Sequence, residues 1–181
     1  MRVYPNNFFC ILLRYISYFC MHLEYKSIHR GELLMKLIVI TGDKNSGKDY
    51  LASKLSENSD IKFIKPYSDK MSNHTTYDEV YDCSFIPIND KKLNVKMECE
   101  IPLFERVIGN NRYVVFQNQL NAEYALLILD KYTLDQVRRD YDFSIFSIYC
   151  TQGTCDNPQD YDVVFNPRVD DIDFLEVKLY E

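Results

Sequence analysis

The sequence lacks an excess of basic residues. Lys and Arg total 21 against 27 Asp and Glu, which gives a formal net charge of −6. A broad electropositive surface is therefore not expected, and the composition argues against nucleic acid as a partner. Any basic group that contributes to function must act locally.

The sequence also lacks any pair of cysteines at the C-x-x-C spacing of zinc sites and redox motifs. We interpret the cysteines as reduced, mostly buried residues of a cytoplasmic protein. They are Cys10, Cys20, Cys83, Cys99, Cys150 and Cys155.

Residues 1–34 differ in composition from the rest of the chain. The run NNFFCILLRYISYFCMHL is apolar and aromatic, but Arg14 interrupts it, so it fits a secretory signal or a spanning helix poorly. One hypothesis places the biological start at Met35, because residues 30–32 can be encoded by a purine-rich ribosome-binding sequence. A membrane segment and an ordered extra helix are the alternatives. We expect residues 1–34 to be a leader outside the folded domain and residues 35–181 to form that domain. No membrane partner is expected unless residues 1–34 are part of the native protein.

From Met35 onward, strand-like and helix-like patterns alternate. This alternation predicts an α/β domain with a mainly parallel sheet covered on both faces. Continuous β-branched runs such as KLIVIT are typical of strands buried on both sides. Strands are expected within 36–41, 61–67, 112–117, 125–130, 143–150 and 161–166. Helices are expected at 48–57, 133–141 and 170–181, with Thr133 as the N-cap of the second.

The region 68–114 is more polar and predicts an inserted or lid-like subdomain. Short strand-like pieces occur at CSFIPI (83–88) and KMECEI (96–101), and a turn signal follows at 109–111. The main sheet is expected to continue after this insertion.

A phosphate-binding loop is expected directly after the first strand. The residues match G-x-x-x-x-G-K between a buried strand and a helix, which is the context that this motif requires. The glycines let successive N–H groups face one point, and the helix N-terminus adds partial positive charge. Lys48 supplies a full charge for the β- and γ-phosphates. The residues expected to bind a nucleoside triphosphate are Gly42, Asp43, Lys44, Asn45, Ser46, Gly47, Lys48 and Asp49.

Asp49 departs from the usual loop, because a hydroxyl residue normally ligates magnesium at this position. A carboxylate is also a suitable ligand for Mg²⁺, directly or through water, although it adds negative charge beside an anion. We therefore keep Asp49 as a candidate metal ligand.

The chain resembles the nucleoside monophosphate kinases, and guanylate kinase in particular. The loop TGDKNSGKD is also similar to that of phage deoxynucleoside monophosphate kinases and of animal-type phosphomevalonate kinases. The resemblance implies a P-loop NTPase fold of three αβα layers, with 68–114 as the acceptor-binding insertion. It further implies ATP and Mg²⁺ as cofactors and a nucleoside monophosphate as partner.

The resemblance also assigns roles to single residues. Lys48, Asp130 and Arg112 would be catalytic, and Asp130 would join Asp49 at the metal. Asn166 would lie near the adenine. The acceptor would contact Ser68, Lys70, Tyr81, Arg112 and Tyr113.

Two features depart from the family pattern. In guanylate kinases an acidic residue recognises guanine. Glu100 or Glu105 could take its place here only if the alignment with the family were shifted. The arginine-bearing lid is also missing, because only residues 151–160 connect the last two strands. Two functions therefore stay open: ATP-dependent phosphoryl transfer to a nucleoside or deoxynucleoside monophosphate, or a weak or inactive nucleotide- or protein-binding module on the same scaffold.

Overall fold

The computed structural model describes residues 35–70, 77–78 and 83–180, and the leader lies outside this part. Strands and helices alternate along it in the following order: β1 (Lys36–Gly42), α1 (Lys48–Leu55), β2 (Ile61–Phe63), β3 (Tyr67–Ser68), β4 (Tyr77–Asp78), β5 (Cys83–Ser84), β6 (Ile86–Pro87), α2 (Asp90–Cys99), β7 (Pro102–Ile108), β8 (Asn111–Phe116), β9 (Tyr124–Ile128), α3 (Lys131–Asp140), β10 (Ser144–Cys150), β11 (Val163–Phe165) and α4 (Ile172–Tyr180).

The main sheet has five parallel strands in the order β11-β10-β1-β9-β2. β1 lies at the centre, where Ile40 is level with Ile148 of β10 and Ile128 of β9. Its residues Leu37–Ile40 are fully buried, as the continuous apolar run predicts. The α/β class and the parallel sheet are confirmed.

Both faces of this sheet are covered, which completes the predicted three layers. On one face α1 and α4 contribute Leu51, Leu55, Leu175 and Leu179 to the core around Ile38 and Ile40. On the other face α3, β7 and β8 contribute Leu134, Val137, Leu103, Phe104 and Val115 to the core around Leu37 and Val39. Alternate β1 side chains therefore serve opposite layers.

Residues 67–116 supply a second sheet and one helix. The strand order of this second sheet is β6-β3-β8-β7, and α2 packs on the sheet through Leu93, which lies against Val114 and Phe116. β4 and β5 form a separate antiparallel pair. The proposed boundaries of the insertion at 68–114 stay a prediction.

Two local predictions are wrong. KMECEI was expected to be strand-like, but Lys96–Cys99 end α2, which Asn89 caps by accepting from the N–H of Lys92. Leu93 and Met97 lie one helical turn apart and both pack on the second sheet, so the helical period prevails over a short alternation. Thr133 is not the N-cap of α3 either, because that position belongs to Asp130.

The cysteines in the described residues are thiols, and no disulfide joins them. Cys83 and Cys150 are buried, Cys155 is partly buried and Cys99 is exposed. In the same part of the chain, no helix combines the length and the apolar character that crossing a bilayer requires.

Candidate active site at the phosphate loop

The phosphate loop lies at the carboxyl end of the central strand. The chain leaves β1 towards β2 on one side of the sheet, whereas it leaves the neighbouring β10 towards β11 on the other. Ligands of open α/β sheets bind at such a switch point. The topology therefore brings Gly42–Lys48 to the expected binding edge.

The backbone of the loop takes conformations that favour glycine. Gly42 has φ of 133° and Gly47 has φ of 97°, and Asn45 is left-handed at 59°. A Cβ on Gly42 would lie 1.9 Å from the carbonyl oxygen of Cys150. Gly42 is thus needed both for its backbone angle and for the close approach of β1 to the end of β10.

Lys48 begins α1, and its side chain turns back into the loop. Its Nζ donates to the carbonyl of Asp43 at 2.6 Å and lies 3.4 Å from the carbonyl of Gly42. The residue is buried. These contacts hold the ammonium against the backbone of the loop that leads into α1.

Asp43 connects the loop to the end of β10. Its carboxylate accepts from the hydroxyls of Tyr149, at 2.8 Å, and Thr151, at 2.5 Å. The bond from Thr151, then that from Tyr149, lowers the pKa of Asp43, while burial and Asp43 raise the pKa of Tyr149. Asp43 is therefore held ionised, and its charge is shared with two hydroxyl donors.

The connection after β10 adds further contacts with the loop. The side-chain amide of Gln152 donates to the carbonyl of Asn45 at 3.2 Å, and the thiol of Cys150 donates to the carbonyl of Ser46 at 3.4 Å. Residues 151–162 contain neither Arg nor Lys. This connection supports the loop but offers no cation to a phosphate.

Asp49 lies in the first turn of α1 and contacts β5. Its Oδ1 accepts from the backbone N–H of Ser84 at 3.2 Å. One oxygen of this candidate metal ligand therefore also ties α1 to β5. Tyr81, a predicted acceptor-binding residue, lies outside the described residues.

Asp130 caps α3 at the end of β9. Its Oδ1 accepts from the N–H of Thr133 at 2.9 Å, and its Oδ2 accepts from the hydroxyl of the same residue at 3.0 Å. Arg106 of β7 forms an ion pair with it, with Nε 3.2 Å from Oδ2. Asp130 thus has a structural role beside its predicted catalytic and metal-binding roles.

Three of the predicted acceptor residues, Ser68, Arg112 and Tyr113, lie on the second sheet. Ser68 and Tyr113 are fully buried and opposite each other in β3 and β8, and the Ser68 hydroxyl accepts from the N–H of Lys70 at 3.1 Å. The ring of Tyr113 meets Phe85 edge to face. Burial gives Ser68 and Tyr113 packing roles, and contact with an acceptor stays a prediction.

Arg112 is surrounded by acceptors from its own subdomain. Its Nε donates to Asp69 at 2.9 Å, and its Nη atoms donate to Asp90 and Asn94. The bond to Asp69 is the largest cause of the raised pKa of Arg112. The guanidinium that was expected to bind a phosphate is therefore already engaged.

Asn166 follows β11, next to the loop. Its side-chain oxygen accepts from the N–H of Arg168 at 3.0 Å, which stabilises a turn. In that turn the Pro167 ring would lie 3.4 Å from a Cβ on Gly47. Asn166 therefore lies near the loop, and its place beside the nucleotide stays a prediction.

Sequence reasoning missed Tyr149, Thr151 and Arg106. Tyr149 and Thr151 lie at the carboxyl end of β10, and their positions next to the loop follow from the pairing of β10 with β1. The only sequence signal was their place at the end of a buried strand, where ligands of α/β sheets gather. Arg106 lacked even that signal.

No family model matches the chain, and no curated protein matches it. Among solved structures, the chain is similar to the guanylate kinase from Anaplasma phagocytophilum. The two are 13% identical, the match covers 82% of this chain and 84% of that chain, and the TM-score is 0.49. This likeness concerns the fold alone.

Proposed function

We propose that the protein transfers a phosphoryl group from ATP to a nucleoside or deoxynucleoside monophosphate. The observation that carries the proposal is the strand–loop–helix at Gly42–Lys48, with glycine-dependent backbone angles and a buried lysine turned into the loop. Such a turn binds the phosphates of a nucleotide through backbone N–H groups and one ammonium. The resemblance of the wider chain to guanylate kinase supplies the acceptor class.

The work of the protein in this reaction is positioning and charge neutralisation. Lys48 would bind the β- and γ-phosphates, and the hydrogen bonds of Asp43 to Tyr149 and Thr151 would keep the loop in its binding shape. Asn166 would lie beside the adenine. Lys70 and residues of the second sheet would contact the acceptor nucleotide on the side away from the phosphate loop.

A magnesium ion fits these residues as a bound partner of ATP. Mg²⁺ usually takes one or two carboxylates and completes its shell with waters and phosphates. Asp49 and Asp130 would hold it, and the ion would neutralise charge on the transferred group. Within residues 35–70, 77–78 and 83–180, no group of three or more His, Cys, Asp or Glu is arranged to hold a metal without a nucleotide.

A second function, nucleotide binding without transfer, is favoured by two specific observations. Arg112 is engaged by Asp69 and Asp90, and the connection at 151–162 has no Arg or Lys. Loss of an arginine that acts on the transferring group costs about 10³–10⁵ in rate in related chemistry. The binding module would therefore keep the loop and lose turnover.

A coupled ADP-release assay with all common ribo- and deoxyribonucleoside monophosphates tests the proposal. Turnover is expected with at least one acceptor, and Lys48→Met should abolish it. The matched control is Lys54→Gln on the same helix, because Lys54 is exposed and pairs with Glu57 three residues on. Absence of turnover with every acceptor would reject the kinase. Thermal stabilisation by Mg-ATP alone, independent of any acceptor, would then favour the binding module.

A further inference from the structure

We propose that Arg106 binds the phosphate of the acceptor nucleotide. The inference rests on the proposed function, since it assigns to that site the cation that the acceptor side requires. Arg106 belongs to β7, where it follows Phe104 on the same face of the strand. Phe104 belongs to the core on which α3 packs, so the side chain of Arg106 lies on the α3 side of β7.

The position of Arg106 follows from the strand register. Ile128, the last residue of β9, is level with Ile40 of β1, and the N–H of Leu129 donates to the carbonyl of Ile40, so Asp130 follows at the carboxyl end of β9, beside the strand that leads into the loop. Neighbouring strands lie about 5 Å apart. The ion pair of Arg106 with Asp130, at 3.2 Å, therefore places its guanidinium at the same sheet edge as the phosphate loop.

The contacts of Arg106 hold it loosely enough to take a ligand. Its guanidinium lies over the ring of Tyr132, with 4.7 Å to the ring centroid. The buried Nε is 3.2 Å from Oδ2 of Asp130, but this contact does not have the geometry of a hydrogen bond, so Nε has no hydrogen-bond partner. The side chain is 34% exposed. A partly exposed ion pair contributes little to stability, so a phosphate can compete for the guanidinium.

Asp130 does not depend on Arg106 to satisfy its oxygens. Both accept from Thr133 at the start of α3. When Arg106 turns to a phosphate, the carboxylate keeps these two bonds and the favourable field of the helix N-terminus. Release of the arginine therefore leaves no unpaired buried charge.

Arg106 is also better placed for this task than Arg112. Arg112 makes hydrogen bonds to Asp69, Asp90 and Asn94, and its side chain is 22% exposed. A phosphate would have to displace two carboxylates to reach it. Arg106 has one carboxylate partner and a planar fork that suits phosphate oxygens.

The test compares Arg106→Gln and Arg106→Lys with the wild-type full chain. Calorimetry measures the affinities for the common nucleoside monophosphates, for the matching nucleosides and for Mg-ATP. Arg106→Gln should weaken monophosphate binding about 10- to 100-fold, as expected for a charged hydrogen bond, and leave nucleoside and ATP binding within about 2-fold. Arg106→Lys should restore part of the loss. Arg139→Gln, an exposed pair with Asp140, should change nothing.

Three results would overturn the inference. They are unchanged monophosphate affinity in Arg106→Gln, an equal loss for nucleoside and monophosphate, or no monophosphate binding by the wild type. If Arg106→Gln does not fold, Arg106→Lys decides by the same comparison. Selective loss of monophosphate binding together with no turnover in the wild type would reject the kinase but keep Arg106 as the phosphate-binding residue.

Discussion

Replacement of Gly42 by alanine tests how closely the phosphate loop is built against β10. The added Cβ would lie 1.9 Å from the Cys150 oxygen and 2.7 Å from the Cys150 nitrogen. Ordinary contact requires a retreat of about 1.5 Å by backbone that belongs to the central pair of strands. The hydrogen bond from the N–H of Asp43 to that oxygen, now 3.1 Å, would break.

The expected cost of Gly42→Ala follows from these two effects. Alanine at φ of 133° costs about 1–3 kcal/mol in backbone strain. Loss of one or two backbone hydrogen bonds between β1 and β10 adds about 1–2 kcal/mol. We expect a loss of about 2–5 kcal/mol in the free energy of unfolding, together with loss of ATP binding.

Gly109→Ala is the matched control, because Gly109 is also left-handed, at φ of 61°, but a Cβ there meets nothing within 4 Å. It should cost only about 1–2 kcal/mol, which is the backbone penalty alone. Urea unfolding followed by circular dichroism measures both variants. Equal costs for the two variants would refute the claim that close approach to β10 determines residue 42.

The remaining predictions concern three carboxylate or guanidinium contacts. Asp43→Asn should destabilise the chain at pH 7, and its difference from the wild type should shrink as the pH falls: the hydrogen bonds from Thr151 and Tyr149 lower the folded pKa of Asp43, so its contribution is present above the unfolded pKa of about 4 and is lost as the pH falls through the lower folded pKa. Asp130→Ala should cost about 1 kcal/mol through loss of the α3 cap, and Asp130→Ser should restore stability without restoring Mg²⁺-dependent turnover. Arg112→Ala should cost about 1–3 kcal/mol, because the mostly buried Asp69 loses the guanidinium and keeps only the backbone N–H of residue 112 as a donor.

Each of these predictions has its own measurement. Urea unfolding between pH 3 and pH 8 checks Asp43→Asn, and a pH-independent difference from the wild type would contradict it. For Asp130, a serine variant that is fully active would show that the carboxylate serves α3 alone. Arg139→Gln is the control for Arg112→Ala, and equal costs for both would show that the contacts of Arg112 contribute no more than an exposed pair.

Local patterns predicted much of this fold. β1, the loop and α1 follow from an apolar run, two glycines and helical spacing within about 20 residues, all of which act between sequence neighbours. β9, β10, α3 and α4 were also recognisable from their periodicity. The prediction of a strand at KMECEI (96–101) was wrong because so short a segment does not distinguish a strand period from a helical one. The helical period becomes visible only when Leu93, which precedes the segment, is considered together with Met97, since both pack on the second sheet.

The surroundings of the loop were not predictable in the same way. The contact of Asp43 with Tyr149 joins residues 106 apart in the chain, and it depends on the pairing of β1 with β10. Periodicity identifies a strand but does not give its neighbours in the sheet. Likewise, the ion pair of Arg106 with Asp130 depends on how β7 packs beside α3.

Amide chemical shifts of the full chain titrated with Mg-ATP show whether backbone N–H groups after β1 bind the phosphates of ATP. We expect the largest changes in chemical shift at the amides of Ser46, Gly47 and Lys48, and we expect these changes to vanish in Lys48→Met. Saturable ATP binding that leaves these three amides unmoved, or no binding at millimolar ATP, would contradict this expectation.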